Sequence, residues 1–271
     1  MRSRVTEPVF ILSTPRAGST LLRYLLDAHP SICCGAETRL GAACEHLEVL
    51  LETLLRDHRN RAVGRQPFFR RVRHILDGVM SEYCDLRKKP RWCDKAPVNL
   101  ETLGSLRATF PDGRYICLHR HGLDVAHSVL ESSAMRASHV GQYISMNAGH
   151  SVAGAIEWWC DKAERVIGFT NTWPRDCLSV NYEDLVGDPE ETLREIFEFV
   201  HVEVVPGVAE RALRSSRSHG IGRGDYKIAG TNRIRRDSVG LGLTMDLSGV
   251  PLPVLARMTT VLERVGYSVE S

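Results

Sequence analysis

Four stretches of this chain carry side chains whose type and spacing suit the capture of anions. The first, Ser13-Thr14-Pro15-Arg16-Ala17-Gly18-Ser19-Thr20, lies between an apolar run (Val9 to Leu12) and a segment with Leu21, Leu22, Leu25 and Leu26 on one face. Gly18 lets the backbone come close to a ligand, and a helix start offers free N–H groups and the positive end of its dipole. Ser19 and Thr20 add hydroxyl donors, and Arg16 adds a planar cation matched to phosphate oxygens. The pattern is not the G-x-x-x-x-G-K-[ST] loop of nucleoside triphosphatases, because Ser19 stands in the lysine's place. One arginine without that lysine suits a less highly charged group, such as a 5′-phosphosulfate.

In the second stretch Arg120 follows Tyr115-Ile116-Cys117-Leu118, and Ser128 comes eight residues later in the next helical segment, so the two can meet on a second anion. His119, His121 and His127 flank them and read as packing or surface neighbours rather than acid-base groups. In the third, Tyr182 ends an apolar run, where its ring either faces a purine or caps the sheet edge. The fourth, 211–236, carries Arg211, Arg214, Arg217, Arg223, Lys227, Arg233, Arg235 and Arg236 against Asp225 alone. Gly220, Gly222, Gly224 and Gly230 mark it as a loop, either a solvated surface or a basic flap that folds over an anion.

Short buried strands must position these stretches. Val9–Leu12, Arg91–Cys93, Tyr115–Leu118 and Cys177–Val180 are strand candidates. Helical segments are expected over 19–27, 41–55, 68–80, 99–110, from about 123, over 190–200 and over 253–265, with a polar, Arg-rich break at 56–66. Asp188 is a natural N-cap ahead of Pro189. Strand-helix alternation without repeat or linker predicts an α/β fold: a single P-loop-like domain, 1–271, with a central parallel sheet flanked by helices. In such a sheet, ligands gather at the carboxyl ends of the strands, just after Leu12, Leu118 and Val180. Within it, 8–36 holds the first loop and helix, 114–130 the Arg/Ser motif and 211–240 a basic closing loop. Trp158-Trp159 reads as core rather than pocket lining.

The chain has 271 residues, 43% of them hydrophobic and 25% charged, the composition of an ordinary globular protein. A formal net charge of +2 supplies no global drive toward nucleic acid or an anionic membrane. No run approaches the ~20 apolar residues of a spanning helix. The four-residue apolar stretch after the polar start is shorter than the ~7–15 residues of a secretory signal, so a cytoplasmic location is expected. The eight scattered cysteines form no C-x-x-C pair and no zinc spacing, so mostly buried thiols and no metal are expected.

Together these motifs resemble the sulfotransferases that use 3′-phosphoadenosine 5′-phosphosulfate (PAPS). Pro15-Arg16-Ala17-Gly18-Ser19-Thr20 is similar to that family's 5′-phosphosulfate loop, Arg120 with Ser128 to its 3′-phosphate motif, and Tyr182-Glu183-Asp184-Leu185 to the segment whose tyrosine contacts adenine. Leu26-Asp27-Ala28-His29-Pro30, Cys34-Gly35-Ala36-Glu37-Thr38-Arg39 and Cys93-Asp94-Lys95-Ala96-Pro97 bring the chain closest to the tyrosylprotein sulfotransferases.

The resemblance implies the sulfotransferase fold and transfer of a sulfuryl group to a hydroxyl. It makes Glu37 the general base, with Lys95 and Arg16 stabilising the transition state. Arg16, Ala17, Gly18, Ser19, Thr20, Arg120, Ser128, Tyr182 and Arg233 would hold the donor, and Arg39 would lie near the acceptor. It further implies PAPS as donor, adenosine 3′,5′-bisphosphate (PAP) as product, no metal, and a tyrosyl, small-molecule or carrier-bound acceptor, with no nucleic acid or membrane as partner. Whether the chain forms a homodimer stays open.

Several positions depart from the family pattern. A glutamate pair is reduced to Ala36-Glu37, and Ser132 replaces a second arginine. Cys34 and Cys93 match a pair that is disulfide-bonded in those enzymes, and are expected here as neighbouring thiols. The histidine base of the small-molecule sulfotransferases has no counterpart around Lys95. Two rival readings are a nucleotide-dependent kinase, disfavoured by the missing lysine, and a non-catalytic nucleic-acid-binding module using 211–236, disfavoured by the near-neutral charge.

Overall fold

The structure, a computed structural model, describes residues 7–55, 66–215 and 234–267. Its elements begin with β1 (Val9–Ser13), α1 (Ser19–Asp27), β2 (Ile32–Cys34), α2 (Leu40–Leu55) and α3 (Gln66–Arg87). They continue with β3 (Arg91–Lys95), α4 (Leu103–Thr109), β4 (Arg114–His119), α5 (Gly122–Leu130), α6 (Ser133–Met135) and α7 (Gly141–Met146). The last are α8 (Ser151–Thr172), β5 (Cys177–Asn181), α9 (Tyr182–Gly187), α10 (Pro189–Phe199), α11 (Val208–Ser215) and α12 (Leu252–Arg264).

The strands form a five-stranded parallel sheet in the order β2-β3-β1-β4-β5, flanked by helices, as the alternation of apolar runs implies. Register sets Ile11 of β1 opposite Lys95 of β3, and Cys34 of β2 opposite Cys93 of β3. Several elements differ from the sequence pattern: α8, α9 and residues 211–215 of α11 are helical outside the expected helical segments, and α3 runs on to Arg87. β2 is a strand of three buried residues, too short to show a period. Residues 97–109 divide into a 3₁₀ turn (Pro97–Glu101) and α4, with Thr102 between them, rather than one helix. Tyr182 opens a helix instead of ending a strand. Asp188 does cap α10, accepting from the Glu191 N–H at 3.2 Å.

The described residues fall into two compact units that alternate along the chain. The first is drawn from 1–12, 20–116 and 194–232, and the second from 13–19, 117–193 and 233–271. The first unit is organised by rings. Phe10 stacks on Tyr115 at 5.1 Å and meets the edge of Trp92 at 5.4 Å, with Phe110 5.3 Å from Trp92. Gly113 permits this, since a Cβ there would come within 2.8 Å of the Phe10 ring.

The second unit is built on α8, whose Ala155, Ile156, Trp158, Trp159, Ala163 and Ile167 are buried with Val125 and Val129 of α5 and Val254, Met258 and Leu262 of α12. Trp158 and Trp159 are therefore core, as read from the sequence. Trp159 lies against Gly122, where a Cβ would stand 2.7 Å from the indole. Trp159→Ala is expected to lower the unfolding free energy by about 3–5 kcal/mol, a large-to-small core loss readable by urea denaturation. A change under about 1 kcal/mol would mean that the unit does not depend on this ring.

Candidate active site

In the second unit, four motif segments that are far apart in sequence converge. Gly18 is left-handed (φ +93°), and a Cβ there would stand 2.3 Å from Cδ2 of Tyr182, so the tyrosine ring lies directly on the loop. Arg16, also at positive φ (71°), donates from Nε to the Ser128 hydroxyl at 3.0 Å. Arg120 donates from Nη1 to the Arg16 carbonyl at 3.1 Å and from Nη2 to the Ser238 carbonyl at 2.5 Å. Its guanidinium also sits 4.5 Å over the Tyr182 ring, a cation–π placement. Tyr182 in turn shares a hydrogen bond with the Ser238 hydroxyl at 3.1 Å.

A buried carboxylate secures the returning segment. Asp124 accepts from the Gly240 N–H at 2.8 Å and the Gly242 N–H at 2.7 Å, and lies 3.8 Å from the Arg120 guanidinium. Asp124, four residues after Arg120 and in the first turn of α5, and Ser238 are site residues that motif reading did not single out. Spacing could have found the first; only the folded chain brings the second in.

The site also carries donors without partners. The Ser13 and Thr14 hydroxyls and Arg120 Nε are buried and make no hydrogen bond among the described residues. Such atoms are costly unless something accepts from them, and an anion at the loop would. Ala17 and Ser19 are buried beside them, and Thr20 is half-buried at the start of α1. Arg233 lies outside the described residues, as does most of the 211–236 loop. Of that loop's cations, Arg236 donates to the carbonyls of Val186 and Gly187 at the end of α9.

In the first unit a second pair forms. Lys95 ends β3, almost fully buried at 4% exposure, and its Nζ bonds Oε1 of Glu37, which is 47% exposed. One residue before Lys95, the buried Asp94 accepts from the Thr38 hydroxyl and from Asn99 Nδ2, each at 2.6 Å. Asn99 returns its amide oxygen to the Gly41 N–H at 3.1 Å. Burial pushes the Asp94 carboxyl above its ordinary value, opposed by those two hydrogen bonds and by the charge of Lys95. Arg39, beside this pair, is exposed with a left-handed backbone (φ 56°). Cys34 and Cys93 are free thiols in direct register rather than a disulfide. Burial and the neighbouring Cys34 push the Cys93 thiol up, so it is no nucleophile at neutral pH. Among the described residues no group of three or more His, Cys, Asp or Glu could hold a metal ion, and no helix is long and apolar enough to cross a membrane.

The histidines beside Arg120 do structural work. His121 donates its backbone N–H to Glu183 and packs edge-on to Tyr267, whose hydroxyl takes the other Glu183 oxygen. Burial pushes His119 down to about 4, so its ring is neutral at neutral pH.

Strand-end loops of a parallel sheet that gather buried donors without partners among the described residues define an anion-binding α/β protein. The chain belongs to the Sulfotransferase family, whose sequence model matches residues 8–206. This match supports the transferase reading rather than the kinase or the nucleic-acid module. The chain is 26% identical over 204 residues to Protein-tyrosine sulfotransferase A of Caenorhabditis elegans, covering 74% of this chain and 51% of that protein. It is 26% identical over 268 residues to Protein-tyrosine sulfotransferase 1 of Danio rerio, covering 96% and 72%. It thus spans only about half of the nematode relative. Among solved structures, the fold matches a sulfotransferase domain from the curacin biosynthetic pathway with TM-score 0.68 and 20% identity, covering 99% of this chain and 100% of that one. It also matches mouse sulfotransferase SULT7A1 complexed with PAP, with TM-score 0.52 and 14% identity, covering 97% and 85%.

His119 carries a pH dependence with a definite sign. Its folded value of about 4 lies below the ordinary 6.5, so as pH falls the unfolded chain takes up this proton first. Stability from this group is complete above pH 6.5 and is lost between 6.5 and about 4, to an extent on the order of 3 kcal/mol. His119→Gln should therefore lose less stability than wild type on going from about pH 7.5 to 4.5 in urea titrations. Parallel losses would show that the ring stays open to protons.

Proposed function

We propose that this sulfotransferase moves a sulfuryl group from PAPS to an acceptor hydroxyl, with Glu37 as general base. The observation that carries the reading is the convergence of Arg16, Ser128, Arg120 and Tyr182 around buried donors that lack a partner among the described residues. Two guanidiniums, one on the Ser128 hydroxyl and the other over the tyrosine ring, offer the cations, hydroxyl and aromatic face that a nucleoside with two phosphate-bearing ends would use. The Ser13-to-Thr20 loop would take the phosphosulfate, Arg120 and Ser128 the 3′-phosphate, and Tyr182 the adenine.

The acceptor end of the reaction falls to Glu37 and Lys95. Lys95 is the last residue of β3, in register with Ile11 of β1, and its buried ammonium reaches Glu37. The acceptor O–H would give its proton to the Glu37 carboxylate as its oxygen bonds to sulfur. The bond from sulfur to the donor's phosphate oxygen breaks, and negative charge grows on that leaving oxygen. The Lys95 ammonium and the Arg16 guanidinium would stabilise this charge as fixed cations. Much of the remaining rate gain would come from alignment of donor and acceptor. The acceptor class that the relatives' names suggest is a tyrosyl phenol; a small-molecule or carrier-bound alcohol meets the same chemistry.

Glu37→Gln is expected to reduce transfer by about 10²–10⁴-fold while leaving PAP affinity nearly intact. Turnover at the wild-type rate would remove Glu37 from the base's role. Arg120→Ala should weaken PAP binding by more than about tenfold, since a charged hydrogen bond to phosphate is lost. An unchanged dissociation constant in titration calorimetry would contradict the 3′-phosphate assignment.

A further inference from the structure

We propose that Thr38 and Asp94 are positioning residues for Glu37: the buried carboxylate clamps the residue next to the base and so fixes where the base points. This rests on Glu37 being the base. The geometry is a pair of adjacent rungs. Lys95 bonds Glu37, and the preceding residue on β3, Asp94, bonds the residue following Glu37, Thr38, at 2.6 Å. With Glu37 half-exposed, one contact to a lysine leaves its long side chain free to pivot. The second rung removes that freedom at the backbone.

The clamp extends beyond Thr38. The other Asp94 oxygen accepts from Asn99 Nδ2 at 2.6 Å, and Asn99 holds the Gly41 N–H at 3.1 Å, so the loop is gripped on both sides of Arg39. Arg39 carries a side chain in the left-handed region (φ 56°), a conformation that persists where the surroundings over-determine it. Gly41 itself is closed against Thr102, whose hydroxyl would lie 2.2 Å from a Cβ there. Asp94 and Asn99 are each 1% exposed, so both anchors of the clamp are shielded from water. Burying a carboxylate is costly, and an apolar residue would fill the position at lower desolvation cost. What the carboxylate adds is two acceptors with fixed directions, one taken by Thr38 of the loop that carries the base and one by Asn99, which in turn holds Gly41.

The test compares Thr38→Val, which removes the hydroxyl at nearly constant shape, with Thr38→Ser, which keeps it. Thr38→Val should lower kcat by about tenfold to a hundredfold, the cost of a misplaced group. Acceptor KM and PAP affinity by calorimetry should stay close to wild type, the thermal midpoint should fall by a few degrees as the buried carboxylate loses a donor, and Thr38→Ser should recover most of the lost kcat and midpoint. Thr38→Ala serves as a second hydroxyl-free variant should valine disturb folding. In the Glu37→Gln background, with residual transfer followed by radiolabelled donor, Thr38→Val should have no further effect. Wild-type kcat for both hydroxyl-free variants, with Glu37→Gln inactive, overturns the clamp while leaving the base in place. A further tenfold loss on top of Glu37→Gln also overturns it, because the effect would not run through Glu37. Wild-type turnover of Glu37→Gln itself defeats the base assignment, and the clamp with it.

Discussion

The Arg120 guanidinium is the point where the second unit's functional segments are tied together. It takes the Arg16 carbonyl with one nitrogen and the Ser238 carbonyl with another, covers the Tyr182 ring and lies beside the Asp124 carboxylate. A planar, always-charged fork can make these contacts at once; an ammonium could not. Asp124 spends its own oxygens on the Gly240 and Gly242 N–H groups, which holds the segment that brings Ser238 to the arginine. The loop, the ring and the returning chain therefore share one cation, whose Nε has no hydrogen-bond partner among the described residues. Contacts among the protein's own groups hold these segments together, and preorganisation of that kind limits the entropy lost on binding.

The first unit solves a different problem, that of holding the Glu37 carboxylate near solvent. Lys95 is buried at the end of β3 and reaches Glu37, which is not. Charge alone gives such a pair little directional precision, since an exposed side chain has many rotamers. The neutral donors Thr38 and Asn99, gathered on Asp94, supply the direction. The two neighbouring residues of β3 thus divide the work between a cation for charge and an anion for geometry.

Strand ends were legible because a buried parallel strand announces itself as an apolar run that stops at turn residues, as Val9–Leu12 and Tyr115–Leu118 do. From those ends the positions of Arg16, Arg120 and Tyr182 followed, since parallel sheets collect ligands there. β2 was not legible: three residues cannot display a period, and its burial comes from the partner strand. The helical face of α8 is regular, yet its Trp158-Trp159 pair speaks only of packing. The Asp94-Thr38-Asn99 network escaped because nothing in the local spacing of three polar residues shows that they converge. Glu37 and Lys95 were found through likeness to a family, and the folded chain joins them.

The contact between Gly18 and Tyr182 sets a rule of shared volume. A methyl group on the loop and the phenol ring would claim the same space, since the ring carbons stand 2.3 and 2.5 Å from where that methyl would be. Size cannot be added to both, and at Gly18 the left-handed backbone (φ +93°) disfavours any side chain even with the ring cut back. Any redesign that aims to open space beside the loop has to begin by shrinking residue 182, because the loop has no atom left to give up.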